Sequence, residues 1–271
     1  MINFAALTPH PPIIIPEIGD DQIKKVKKTI LAMKKLAKEF NNSDPDTVII
    51  ISPHGLVYPD RFNICAMPKL TGSFLQFGAG NLQFNLKNDI ELANEIAKTS
   101  KDNGINTLLY DNDEAYYELD HGTLVPIHFL LGEQKETKVL PITYSMLDKS
   151  THLAFGEVIA EIAQKSKKRI AIIASGDLSH RLIQTAPAGY TEAGKEFDKS
   201  LLNHLKNKDT EAVLEMDEDF IEEAGECGYK SILVLLGVIN KLNYSPKIMS
   251  YEGPFGVGYG IVNFQLKNEH K

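Results

Sequence analysis

Cysteine is scarce in this chain: only Cys65 and Cys227 occur in 271 residues. They form no C-x-x-C pair and build no disulfide framework, so a reducing cytoplasm is the expected location. No run of about 18 or more apolar residues is present, so a membrane-spanning helix is excluded. The opening MINFAALTPHPP has no basic segment, and its apolar stretch is too short for a secretory signal. Positive charge is also in deficit, with 29 Lys and Arg against 36 Asp and Glu and a net charge of −7. That balance argues against nucleic acid or an anionic membrane as a main partner. There is no fixed-period repeat, no low-complexity tract and no linker that demands a second domain, so residues 1–271 are expected to form one. Nucleotide and hydrolase signatures are missing too. The glycine-rich GPFGVGYG (residues 253–260) lacks the Lys-Ser/Thr of a phosphate loop, and its glycines are assigned to turns or close packing. No G-x-S-x-G elbow occurs.

What the chain does have is apolar material, 43% of its residues, arranged in two alternating patterns. Short β-branched runs such as Thr47–Ile51 and Ile170–Ala174 have no polar alternation, as strands buried on both faces require. Strands are expected at 1–7, 47–51, 105–110, 139–144, 170–174, 246–251 and 261–266, with hairpin-like strands in 61–86. Helical spacing predicts helices from Asp20-Asp21 to about Phe40, over 88–103, over 150–166 with Ser150 or Thr151 as cap, over 192–207, and from Tyr229 to Asn240. The four prolines in 8–19 predict a rigid, non-helical loop. The expected class is therefore α/β: a single domain with a central, mostly parallel sheet and helices on both faces.

Three of the apolar segments lead into a histidine. Phe4–Leu7 precedes Thr8-Pro9-His10, Thr47–Ile51 precedes Ser52-Pro53-His54, and Ile170–Ala174 precedes Ser175-Gly176-Asp177 and then His180. Open α/β sheets place their chemistry just past the carboxyl ends of their strands. If these strands are neighbours, the imidazoles converge. His121 is a fourth loop histidine, beside Gly122. His152, His204 and His270 read as surface residues, and His128 as a histidine satisfied within an apolar helix. Imidazole suits Zn, Cu, Fe and Ni, and two histidines with one carboxylate form the facial triad of non-haem Fe(II) enzymes. Loop carboxylates available for that place are Glu17, Asp120, Asp177, Glu226 and Glu252. Asp120 and Asp177 have an alternative use, orienting neighbouring groups by hydrogen bonds. Cys227 has two readings, packing near a metal or acting as a nucleophile.

Six motifs, in order, carry a resemblance: TPHPPIIIPEIG, ISPHG, LDHGTLVP, ASGDLSH, AGECGYKSILVLLG and SYEGPFGVGYG. Together they resemble the class III extradiol ring-cleavage dioxygenases of the catalytic-subunit-B type, most closely the branch grouped with Memo-like proteins. The resemblance spans essentially the whole chain. It implies a mononuclear Fe(II), with Zn as the alternative, held at the matching positions His10, His54 and Glu226. In the Memo branch a cysteine stands at the motif that holds Glu226, AGECGYKSILVLLG, and here it falls on Cys227. His180 matches the acid/base histidine and His121 the substrate-orienting one. The implied reaction is ring cleavage of a catechol- or aminophenol-type aromatic by dioxygen. The alternative is a Memo-like metal-binding protein with non-oxidative or no catalytic activity. The implied partners are the aromatic substrate, dioxygen, further copies of the chain, and a separate AMMECR1-like or radical-SAM protein.

Overall fold

The computed structural model describes residues 1–111, 118–132 and 136–267. His270 lies outside the described residues. The chain runs β1 (Ile2–Thr8), α1 (Pro16–Gly19), α2 (Lys27–Ser43), β2 (Thr47–Ser52), β3 (Phe62–Cys65), β4 (Lys69–Phe74), β5 (Ala79–Lys87), α3 (Ile90–Asp102), β6 (Thr107–Tyr110) and α4 (His121–Leu130). It continues through β7 (Lys138–Thr143), α5 (Lys149–Lys165), β8 (Ile170–Ser175), α6 (Glu192–Asn207), α7 (Thr210–Leu214), α8 (Glu218–Ala224), α9 (Tyr229–Ile239), β9 (Tyr244–Glu252) and β10 (Tyr259–Leu266).

Eight strands form one sheet in the order β6-β3-β7-β2-β8-β1-β10-β9. Its centre is parallel: β7, β2, β8 and β1 all run the same way. β3 and β10 are antiparallel to β7 and β1. The expected hairpin is β4 with β5, in a sheet of their own, while β3 joins the main sheet.

The uninterrupted apolar runs explain the layering. Ile49 and Ile51 point into one core, Val48 and Ile50 into the other, and β8 splits in the same way. A strand covered on both sides needs an apolar residue at every position. The first core is closed by α3, α5, α6 and α9, the second by α2 and α4. α5 and α9 cross at two glycines. A Cβ on Gly156 would lie 2.1 Å from the Val234 carbonyl oxygen and 2.9 Å from Gly237 Cα. Gly156→Ala must therefore push the helices apart. We expect it to destabilise the fold by about 1–3 kcal/mol, as overpacking of a close-packed core does. Denaturant unfolding measures this, and an unchanged midpoint would mean that the crossing relaxes freely.

Four sequence expectations are corrected. The proline-rich loop contains a 3-10 turn at Pro12–Ile14 and the single turn α1, each opened by a proline. Proline is tolerated there because the first helical N–H has no partner to lose. The helix expected from Asp20 is a 3-10 stretch to Val26 and becomes α-helical only at Lys27. Third, α5 is capped by Asp148, which accepts from the Thr151 N–H at 2.8 Å. His152 is then not a surface residue. It falls on the same stripe as Phe155 and Ile159 and is fully buried, its Nδ1 2.8 Å from the Asp148 carbonyl and its Nε2 3.1 Å from the Ser145 carbonyl.

Candidate metal centre

Parallel register lines up the carboxyl ends of the central strands. Thr8 pairs with Ser175, Ser52 with Thr143, and Ile51 with Ala174. The loops carrying His10, His54 and His180 thus leave from adjacent strands. His121 arrives differently, as the first residue of α4. Asp120 caps that helix, accepting from the Thr123 N–H at 3.1 Å, and takes the Ser52 hydroxyl at 2.5 Å. This fixes the helix start to the end of β2.

The four imidazoles converge. His10 and His54 place their Nε2 atoms 3.0 Å apart. His121 stacks on His54 with centroids 4.3 Å apart and planes 22° apart, and its edge meets His10 at 5.4 Å. His180 is close enough for its charge to act on His10 and His54. Its Nδ1 donates to the Gly225 carbonyl at 2.8 Å, so the neutral ring presents a bare Nε2. His10 is buried and His54 is exposed, leaving the cluster open on the His54 side.

Cys227 joins the pair. Its Sγ lies 3.6 Å from His10 Nε2, and donor atoms of His10, His54 and Cys227 all lie within 4.8 Å of one another. Two glycines make this approach possible. A Cβ on Gly176 would lie 2.1 Å from Gly228 Cα, so the loop carrying Cys227 rests directly on the backbone past β8. The contact is locked by Cys227 N–H donating to the Asp177 carbonyl and Asp177 N–H donating to Cys227 Sγ, both at 3.3 Å.

Glu226 is not gathered with them. Its carboxylate accepts the Tyr229 N–H at 2.5 Å, at the start of α9. It lines a separate cavity of about 720 Å³, together with Tyr144 and Lys230. Cys227 and Glu226 are neighbours in sequence, yet one meets His10 and the other the start of α9. The remaining loop carboxylates are engaged elsewhere. Glu252 accepts from the Thr29 N–H and hydroxyl, both at 2.7 Å, and Glu17 is exposed. Asp177 accepts the His10 N–H at 2.9 Å and so orients the His10 loop.

Electrostatics favour neutral imidazoles. Burial, then repulsion from His54, His121 and His180, holds His10 well below the usual histidine value. Burial and the His121 charge bring His54 down to about 4. Burial, with the charges of Asp177 and Glu226, pushes the Cys227 thiol up. A bound cation reverses that last trend, because a coordinating thiol gives up its proton.

The structure thus gathers nitrogen and sulfur donors that could hold a metal ion at the carboxyl edge of a mixed sheet covered on both faces. The chain belongs to the family described as the catalytic LigB subunit of aromatic ring-opening dioxygenase, whose model matches residues 4–262. It is 38% identical over 269 residues to protein CA_C1420 of Clostridium acetobutylicum, covering 97% of this chain and 58% of that protein. It is 24% identical over 277 residues to the 2-aminophenol 1,6-dioxygenase alpha subunit of a Pseudomonas species, covering 98% and 99%. A MEMO1 family protein of Methanosarcina mazei is 30% identical over 162 residues, covering 59% of this chain and 54% of that protein. The chain thus spans little more than half the length of the Clostridium protein, and the match to the Methanosarcina protein takes in little more than half of each. The crystal structure of the uncharacterized protein JW3007 from Escherichia coli K12 superposes with a TM-score of 0.63 at 13% identity, covering 96% of this chain and 99% of that one, which supports the fold. No helix among the described residues is long and apolar enough to cross a membrane.

Proposed function

We propose that this chain is a mononuclear transition-metal protein on the ring-opening dioxygenase scaffold, with His10, His54 and Cys227 as ligands. The observation that carries the reading is the shared aim of three donor atoms, with His10 Nε2, His54 Nε2 and Cys227 Sγ facing one point. Two imidazoles and a thiol fit a first-row transition ion. They do not reproduce the two-histidine, one-carboxylate set that His10, His54 and Glu226 would make. Soft sulfur with two nitrogens suits zinc as well as iron, and three protein ligands leave an open position in either case. Fe(II) is the metal we expect from the family, and zinc is its competitor. When bound, such an ion supplies a Lewis acid and a template for two reactants. The chain's own residues supply the rest: the bare Nε2 of His180 accepts a proton, and His121 orients a ligand oxygen on the open side.

A second reading keeps ring cleavage, with a catechol- or aminophenol-type aromatic and dioxygen as substrates. The histidine pair His121 and His180 beside the donor set favours it, as do the dioxygenase relatives. The alpha-subunit name of the 2-aminophenol dioxygenase relative supports assembly with further chains. The cytoplasm is the proposed location, and a separate AMMECR1-like or radical-SAM protein the proposed partner. Elemental analysis after anaerobic purification, followed by oxygen uptake on a panel of catechols and aminophenols, tests both readings. About one iron per chain with uptake supports ring cleavage. Iron or zinc without uptake supports the metal protein alone. Absence of metal, with none taken up from Fe(II) or Zn(II), overturns both.

A further inference from the structure

We propose that Ser175 is a positioning residue that sets the tautomer of His10, and that Pro126 obliges it to do so. The inference rests on the metal-site reading only for its consequence, since the hydrogen-bond logic stands without an ion. Ser175 ends β8, is wholly buried, and carries one hydroxyl proton. Its Oγ lies 2.5 Å from the Gly122 carbonyl oxygen and 2.9 Å from His10 Nδ1. A carbonyl only accepts, so the hydroxyl proton belongs to Gly122. The Ser175 oxygen then offers only lone pairs to His10, and His10 Nδ1 must be the donor. A neutral imidazole has one N–H. Its Nε2 is therefore bare, and Nε2 is the atom that faces His54 and Cys227.

The question that remains is why the Ser175 proton is not free to turn. Gly122 is the second residue of α4, and its carbonyl would ordinarily receive the N–H four residues on. That residue is Pro126, inside the helix. Proline has no N–H to give, and its ring crowds the carbonyl at i−4. The orphaned acceptor is buried, and leaving it unpaired would be costly. Ser175 supplies the donor. One proline thus commits one hydroxyl, which commits one imidazole. The same bond pins the first turn of α4, and with it His121, to the end of β8.

The tautomer is read in metal-free protein by long-range proton–nitrogen correlation on 15N-histidine-labelled samples. We expect His10 in the wild type as the Nδ1–H form. Ser175→Ala removes the acceptor and should shift His10 toward Nε2–H or a mixture. Pro126→Ala restores a helical N–H for Gly122 and should also mix the tautomers, while leaving Ser175 and His10 themselves in place. Ser175→Thr keeps the hydroxyl and should keep the wild-type signal. Titration with Zn²⁺ alone, against a chromophoric chelator, should show affinity about 10–100-fold lower in Ser175→Ala, the usual effect of losing an outer partner of a ligating histidine. An Nε2–H signal in the wild type, or a wild-type signal in both Ser175→Ala and Pro126→Ala, would overturn the proposal. If Ser175→Ala fails to fold, Pro126→Ala decides. A wild type that shows the Nδ1–H form but binds no Zn²⁺ would sink the metal reading and leave the tautomer assignment standing.

Discussion

Cys227→Ala is expected to strip the protein of its metal, while Glu226→Gln leaves the metal in place. The two residues are adjacent in sequence, yet the structure sends them to different places. Cys227 Sγ lies 3.6 Å from His10 Nε2, whereas Glu226 accepts from the Tyr229 N–H. Removing one of three protein ligands should lower affinity by more than the roughly 10–100-fold lost with an outer hydrogen-bond partner. His10→Ala and His54→Ala should do the same. Glu226→Gln keeps an oxygen for Tyr229 and removes only a charge, on a carboxyl whose pKa burial pushes up to about 7. Bound metal per chain, measured on the purified variants alongside their thermal unfolding, separates loss of a ligand from loss of the fold. Full metal in Cys227→Ala and none in Glu226→Gln would restore the carboxylate assignment and mean that the loop turns over when an ion binds.

The sheet and its converging histidines were legible because both depend on one-dimensional signals. TVIII and IAIIA allow no face for water, so they must lie in the centre, and a histidine just past such a strand must lie at its carboxyl edge. Cys227 against Glu226 was not legible. Which of two neighbouring side chains faces the site depends on the path of one loop, and that path is set by backbone contact between Gly176 and Gly228, fifty-two positions apart. Glycine pairs of this kind carry no signal in a single sequence beyond the bare presence of glycine. His152 misled for a related reason. Histidine on a helix reads as polar surface until the stripe containing Phe155 and Ile159 is known to face the core. Pro126 lies inside an apolar helix, and its consequence needs a third partner, Ser175, which arrives from β8.

His180→Ala is expected to leave bound metal unchanged and to lower turnover by about 10²–10⁴-fold, the usual effect of losing a positioned acid/base group. His180 is outside the cluster of donor atoms, which comprises His10, His54 and Cys227. It is nonetheless fixed with care. Its Nδ1–H is held by the Gly225 carbonyl at 2.8 Å, and Gly225 ends α8 in the left-handed region, with φ 62°, where glycine is strain-free. That bond leaves Nε2 as a proton acceptor of defined direction. Burial lowers the His180 value below the ordinary 6.5, so the ring is neutral and basic at pH 7. The sign follows: activity that needs this base should be level near neutrality and fall only as the pH drops below the ordinary imidazole range. Oxygen uptake by iron-loaded wild type and His180→Ala, on the aromatic that the wild type turns over fastest, gives both the rate ratio and the acid limb. A variant with full metal and wild-type rate would remove His180 from the chemistry and pass the base role to His121, whose value burial also lowers. A variant that loses its metal would instead make His180 a fourth ligand, which would close the open position on a tetrahedral zinc.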